Sequence, residues 1–161
     1  MKREYVIPFI LFIPTLVVQL TIVPLVSIDY FVPDLILILL VFYTLLNGQM
    51  FGTITGAAFG LLFDLFSGNL LGLAMFSKTI AGFTAGYFYN ENKIDTNTSM
   101  LNFALIVLLS SFVDSFFNGI FSGSQSVGVL FIIFEKSLFP ALYTAVVGLL
   151  IIIVLPKRKL Q

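Results

Sequence analysis

Five ionisable side chains lie inside long apolar segments, and these are the residues of the chain most able to do chemistry: Asp64, Lys78, Asp114, Glu135 and Lys136. Each costs about 2.5–3.5 kcal/mol at the centre of a membrane-inserted helix, so each requires a partner. The acids outnumber the lysines by one, which predicts that one carboxylate is protonated or hydrogen-bonded to a serine. These residues are predicted to form a buried polar network that fixes helix register, a ligand or ion site, or a docking site for a partner protein.

Catalysis has little support in the sequence. Cysteine and histidine are both absent, which removes disulfides, thiol nucleophiles, Cys/His zinc sites and Ser-His catalysis. Paired carboxylates can act as an aspartyl protease, but the Tyr-Asp and Gly-x-Gly-Asp motifs of intramembrane aspartyl proteases do not occur, nor does a P-loop or a dinucleotide fingerprint. We therefore expect no catalytic, cofactor-binding or metal-binding residues.

The composition predicts an integral membrane protein. Hydrophobic residues make up 59% of the 161 residues and charged residues only 10%, whereas soluble domains carry about 25% charged residues. The net charge of zero gives no reason to expect nucleic acid binding. Apolar segments predict an all-α, single-domain bundle of six transmembrane helices over residues 1–161, at about 4–26, 33–47, 51–66, 70–90, 100–121 and 127–155. The first segment is too long for the apolar region of a signal peptide, so we expect it to remain as a helix.

Basic residues predict the orientation, because cytoplasmic loops are enriched in Lys and Arg. Six spans with the N-terminus inside place the following residues in the cytoplasm and leave the outer loops without Lys or Arg: Lys2, Arg3, Lys93, Lys157, Arg158 and Lys159. Both termini are thus predicted to be cytoplasmic. At 1.5 Å per residue, Lys78, Asp114 and Glu135 then lie roughly 10–12 Å below the outer boundary. Asp64 lies near the outer end of its helix, and Glu135 and Lys136 project about 100° apart.

Glycines recur every four residues in the third and fourth segments, at Gly48, Gly52, Gly56 and Gly60 and again at Gly82 and Gly86. This spacing places them on one stripe of each helix, where small residues allow two helix backbones to approach closely. The stripes predict packing of the third helix on the fourth, or a docking stripe for a second protein.

Part of this pattern resembles a known family. The residues are Pro33-Asp34-Leu35, Gly48, Gly56, Gly60-Leu61, Asp64, Ser67-Gly68, Leu71-Gly72, Gly82 and Gly86. They resemble MreD, the rod shape-determining membrane protein of bacteria, most densely over residues 33–86. The resemblance implies a non-enzymatic member of the cell-elongation complex in the cytoplasmic (inner) membrane. Its implied partners are MreC, the actin-like MreB and the peptidoglycan polymerase and transpeptidase. The implied fold is similar to the six-helix substrate-binding subunit of energy-coupling-factor (ECF) vitamin transporters.

Three functions remain open from the sequence. The first is a membrane scaffold that contacts MreC through the turn from Asp64 to Gly72. The second is the substrate-binding subunit of an ECF-type vitamin transporter, although the first helix lacks the alanines and glycines with which such subunits bind their energising partner. The third is a proton- or ion-coupled carrier that uses Asp64, Lys78 and Asp114, although carriers commonly have more helices and repeated halves.

Overall fold

The computed structural model describes residues 3–26, 32–68, 70–91, 94–121 and 132–154, and within these ranges it contains helices and no strand. The helices are α1 (Arg3–Thr21), α2 (Val23–Val26), α3 (Leu35–Asn47), α4 (Gln49–Ser67), α5 (Leu73–Gly86), α6 (Ile94–Asn97), α7 (Met100–Phe121), a π-helix (Ile132–Leu138) and α8 (Phe139–Val154). The prediction of an all-α fold is confirmed. Most of the basic residues behind the orientation, Lys2, Lys93 and residues 157–159, lie outside the described residues.

Within the described ranges, four helical segments are long and apolar enough to cross a membrane: Val6–Leu25, Gln49–Ser67, Met100–Phe121 and Phe134–Ile153. In these segments only 28–33% of each apolar window is buried inside the protein. Large apolar side chains therefore face outward along their length, for example Ile13 (64% exposed) and Leu101 (72% exposed). An exterior of this kind is stable in hydrocarbon rather than in water.

The short helix α3 lies at the centre of the described residues. Its 13 residues are about 20 Å long, against roughly 30 Å for the hydrocarbon of a bilayer. Its two faces belong to two apolar cores. One core joins α3 to α5, α7 and α8 through Leu37, Ile38, Val41, Leu45, Ala81, Ala85, Phe103, Ile106, Val107 and Ala145. The other joins it to α1 and α4 through Phe12, Leu16, Ile36, Leu40 and Phe59.

Helix α5 begins later than the predicted fourth segment, which was placed at 70–90. It runs from Leu73 to Gly86 and has 14 residues. Gly72, directly before it, has a φ of +94°, a left-handed conformation that glycine adopts readily and that ends the preceding turn. Composition alone extended the predicted segment, because Leu70 and Leu71 before Gly72 are as apolar as the first residue of the helix, Leu73.

The last span starts with a π-helix rather than with α-helix. Residues Ile132–Leu138 form the π-helix and α8 continues from Phe139. Pro140 lies at this junction. Because proline cannot donate to the carbonyl four residues earlier, it disfavours a regular α-helical turn immediately before it. The predicted segment 127–155 also included residues 127–131 and 155, which lie outside the described residues.

Candidate functional site

Asp64 organises the turn between α4 and α5. Its side chain is buried, at 1% exposure, and both carboxylate oxygens accept backbone hydrogen bonds. Oδ2 accepts from the N–H of Gly72 at 2.9 Å and of Met75 at 3.2 Å, and Oδ1 accepts from the N–H of Ala74 at 3.1 Å. Asp64 therefore caps the N-terminus of α5 across the turn, where free N–H groups and the helix dipole favour a negative charge.

The turn that Asp64 holds presents four large apolar side chains to the outside. Leu65 and Phe66 at the end of α4 are 57% and 66% exposed, and Leu70 and Leu71 are each 68% exposed. Gly68 allows the chain to reverse there, because its φ is +71°. The acid itself is enclosed, so among the described residues of this turn the large exposed side chains are apolar.

The other intramembrane charges meet around Lys78. The Lys78 ammonium contacts the carboxylate of Asp34 and lies 3.4 Å from Oδ2 of Asp114. The Lys78 side chain is 2% exposed, that of Asp114 is 8% exposed and that of Asp34 is 22% exposed. The structure thus brings together Lys78 and Asp114, two of the residues singled out from the sequence, and adds Asp34. We call these three residues the Lys78 cluster.

Asp34 was singled out in the sequence as part of the family pattern and not as a member of the charged set. It is the N-cap of α3, since its Oδ1 accepts from the N–H of Leu37 at 2.9 Å. An acid between a proline and an apolar run is a recognisable N-cap signal, but that local signal does not show which distant lysine the second oxygen meets. Lys78 lies on α5, and α3, α4 and the turn between α4 and α5 separate it from Asp34 in the sequence.

Two further polar side chains hold the start of α3 in place. Gln19 of α1 donates from Nε2 to the carbonyl of Pro33 at 3.0 Å and accepts at Oε1 from the N–H of Leu35 at 2.9 Å. Thr144 of α8 accepts from the N–H of Asp34 at 3.2 Å. The Lys78 cluster therefore lies where α1, α3, α5, α7 and α8 are joined by polar contacts.

Glu135 and Lys136 are placed elsewhere. Both lie in the π-helix, where Glu135 is exposed and Lys136 is partly buried. Glu135 precedes Thr144 by two and a half turns, roughly 13 Å at α-helical rise, and Thr144 is the residue of this span that reaches Asp34. In place of Glu135, which was expected at the level of Lys78 and Asp114, the structure brings Asp34 to the lysine.

The glycine stripes form the contact between α4 and α5. A methyl group on Gly56 would overlap the backbone carbonyl of Lys78, and one on Gly60 would overlap that of Ala74. A methyl group on Gly82 would overlap the carbonyl of Gly52. The backbone of Lys78 therefore lies directly against α4. The position of the lysine depends on the glycines, because any larger residue there would push α5 away from α4.

Two glycines of the predicted stripes lie differently from the others. Gly48 is not inside a helix: it separates α3 from α4 with a φ of +97°. Gly86 is the last residue of α5 and packs against Gln49, the first residue of α4, next to Gly48. Of the four glycines of the first stripe, Gly52, Gly56 and Gly60 therefore lie within helix α4, and Gly48 lies before it.

Comparison with known proteins gives one result. A family model described as rod shape-determining protein MreD matches residues 1–158. No curated protein and no solved structure matches the chain.

Proposed function

The chain belongs to the MreD family of rod shape-determining proteins, and from that premise we propose that it is a non-enzymatic scaffold of the bacterial cell-elongation complex. In this role it holds MreC and other elongation proteins at the cytoplasmic membrane. The placement of the intramembrane charges supports a structural role for them. Asp64 caps a helix, and the Lys78 cluster joins helices to one another.

The proposal includes a full architecture. We propose six membrane-crossing segments with both termini in the cytoplasm, and a fold of the kind seen in ECF transporter substrate-binding subunits. The two segments beyond the four long spans are α3 and α5, which are short. Short segments can cross when longer neighbours enclose them or when the bilayer thins beside them. Helix α3 meets the first condition, since seven of its 13 residues are buried.

The observation that carries the proposed partner role is the apolar turn ordered by Asp64. Leu70 and Leu71 follow the end of the span Gln49–Ser67, and each is 68% exposed. Two adjacent exposed leucines beyond the end of a membrane span are costly to leave against water or lipid headgroups, and a partner surface would cover them. We propose that MreC is this partner.

A capture experiment tests this proposal. The double variant Leu70→Ser/Leu71→Ser should reduce the amount of MreC that co-purifies from detergent-solubilised membranes by tenfold or more, because each leucine loses about 1.5–3 kcal/mol of burial at an interface. Leu25→Ser is the matched control. Leu25 is 83% exposed and lies at the same end of the bundle, because the Gln19–Leu35 and Asp34–Lys78 contacts align that end of α1 with the start of α5.

The control variant should capture MreC as the wild-type protein does. Both variants must elute from size-exclusion chromatography at the position of the wild type, so that misfolding is separated from lost contact. Wild-type capture by the double variant would exclude this turn as the MreC contact.

A further inference from the structure

An apolar groove with a volume of about 290 Å³ runs along α3. Its lining comes from α1, α3, α7 and α8 and includes Pro14, Val18, Leu39, Phe42, Ile151 and Ile152. Leu35, Leu39 and Phe42 share one face of α3 and are only partly buried, although most of this helix is enclosed. The groove, which we call the α3 groove, is therefore a place where α3 reaches the exterior beside its longer neighbours α1 and α8.

The chemistry of the α3 groove suits a hydrocarbon chain. Among its described lining residues Thr15 has the one polar side chain, and its hydroxyl donates to the carbonyl of Leu11 at 2.8 Å. Two of the flanking segments, Val6–Leu25 and Phe134–Ile153, are apolar enough to cross a membrane, so lipid tails surround the groove. Its volume is at the lower end of ligand-sized cavities, which suits one flexible chain better than a helix about 10 Å across.

One end of the helix bundle is rich in basic residues. Gln19 near the end of α1 and Thr144 in the first half of α8 both bind the start of α3. The start of α1 and the end of α8 therefore point toward the other end of α3, at Asn47. The chain segments that adjoin this end carry six of the eight basic residues, namely Lys2, Arg3, Lys93, Lys157, Arg158 and Lys159, and three of the eight acids, namely Glu4, Glu91 and Asp95. This excess of positive charge attracts anionic lipid headgroups.

A lipid anchored at the basic end can reach the α3 groove. The groove follows α3 from Leu35 to Phe42, and Asn47, where α3 ends, comes five residues later. Five residues of helix are about 7–8 Å long, whereas the hydrocarbon of one leaflet is roughly 15 Å thick. An acyl chain that starts at the level of Asn47 therefore passes Phe42 and enters the groove.

We propose that the α3 groove binds one acyl chain of an anionic phospholipid whose headgroup is held by the basic residues adjoining α1 and α8. The apolar lining selects a hydrocarbon chain, and the basic residues select the charge of the headgroup. This site lies toward the opposite end of the bundle from Leu70 and Leu71, so it is separate from the proposed MreC contact. In the proposed orientation the lipid belongs to the cytoplasmic leaflet.

Tryptophan fluorescence tests the proposal, because the chain has no tryptophan and a single one reports the lipid that touches it. Phe42→Trp places the reporter in the groove. Ile54→Trp is the control at matched depth, since Ile54 is 58% exposed on α4 and follows Gln49 by five residues, as Phe42 precedes Asn47 by five. The full-length variants are reconstituted in phosphatidylcholine bilayers that contain brominated phosphatidylglycerol or brominated phosphatidylcholine, whose bromine quenches tryptophan on contact.

In Phe42→Trp, brominated phosphatidylglycerol should quench at a mole fraction lower by at least about fivefold than brominated phosphatidylcholine, which is the preference that one Lys or Arg near the headgroup gives. In Ile54→Trp the two lipids should quench equally. Neutralising the basic residues in the Phe42→Trp protein, either by Lys2→Gln/Arg3→Gln or by Lys157→Gln/Arg158→Gln/Lys159→Gln, should lower the preference. Equal quenching by both lipids in Phe42→Trp, or a full preference retained in both neutralised variants, would overturn the proposal.

Native mass spectrometry supplies a readout that needs no reporter in the groove. The wild-type protein released from detergent should retain phosphatidylglycerol over phosphatidylcholine. Val18→Phe, which narrows the groove, should lose this adduct, and Val17→Phe at the adjacent outward position (55% exposed) should keep it. Retention of the adduct by Val18→Phe would contradict the site. So would a Phe42→Trp signal that no brominated lipid quenches while that of Ile54→Trp is quenched, because the groove would then be closed to lipid, as it would be beneath a second copy of the chain.

Discussion

At the scale of single residues, three acids of the described part of the protein, Asp34, Asp64 and Asp114, act through the backbone and through one lysine. Asp64 and Asp34 both use their carboxylates at the start of a helix, α5 and α3 respectively. Asp34 does so from the adjacent N-cap position, which is readable in the sequence. Asp64 caps α5 from a position eight to eleven residues earlier in the sequence than the N–H groups that it accepts from. No short sequence motif predicts a helix cap over that separation.

Replacing Asp64 with alanine should destabilise the protein. The variant leaves the N–H groups of Gly72, Ala74 and Met75 without their acceptor; the bond to Ala74 is buried and the other two are partly buried. An unsatisfied buried donor costs about 1–3 kcal/mol. We expect a loss of at least about 2 kcal/mol, measured as a lower unfolding temperature in detergent. Glu91→Ala is the control, because Glu91 is exposed and its side chain accepts a hydrogen bond from the hydroxyl of the nearby Tyr89 at 3.2 Å and not from a helix N-terminus among the described residues. Equal unfolding temperatures for the two variants would contradict the capping role.

At the scale of the helices, the spacing of glycines was informative in the sequence because close packing requires a stripe of small residues. The fourfold repeat predicted two stripes, and in the structure Gly56, Gly60 and Gly82 lie in the contact between α4 and α5. The helix ends were less predictable. Gly48 continues the repeat in sequence but interrupts the helix in space, since a glycine serves equally well in close packing and in a left-handed turn.

A pair of glycine substitutions separates close packing from helix propensity. Gly60→Ala should destabilise the protein by about 1–3 kcal/mol, because its methyl group would overlap the backbone of Ala74 and Met75, which cannot rotate away. Gly148→Ala should be neutral or stabilising, since its methyl group would lie 3.5 Å from a side-chain carbon of Val107, an ordinary contact, and alanine favours a helix by about 1 kcal/mol over glycine. Unfolding temperatures in detergent measure both. A fall of the same size for both variants would show that packing of α4 on α5 is not the cause.

At the scale of the complete protein, the small number of charged side chains determines which surfaces the fold can expose. With 59% hydrophobic and 10% charged residues, the chain places apolar side chains both in its cores and on its exterior. Composition therefore sufficed to predict a helical membrane protein. It could not place Asp34 rather than Glu135 beside Lys78, because that choice depends on how α3, α5 and α7 are arranged in space. It also could not reveal the π-helix in which Glu135 lies exposed.

The proposed orientation is open to a clean test because the chain has no cysteine. Single cysteines can therefore be introduced one at a time and labelled with a membrane-impermeant maleimide. If basic residues keep the termini in the cytoplasm, Leu25→Cys should react in intact spheroplasts, while Glu91→Cys and Gln161→Cys should react only after the membrane is permeabilised. Leu25 and Glu91 are both exposed, so a difference in labelling reports the side of the membrane and not burial. The reverse pattern would place the turn ordered by Asp64 in the cytoplasm, and the partner sought for Leu70 and Leu71 would then be a cytoplasmic protein instead of MreC.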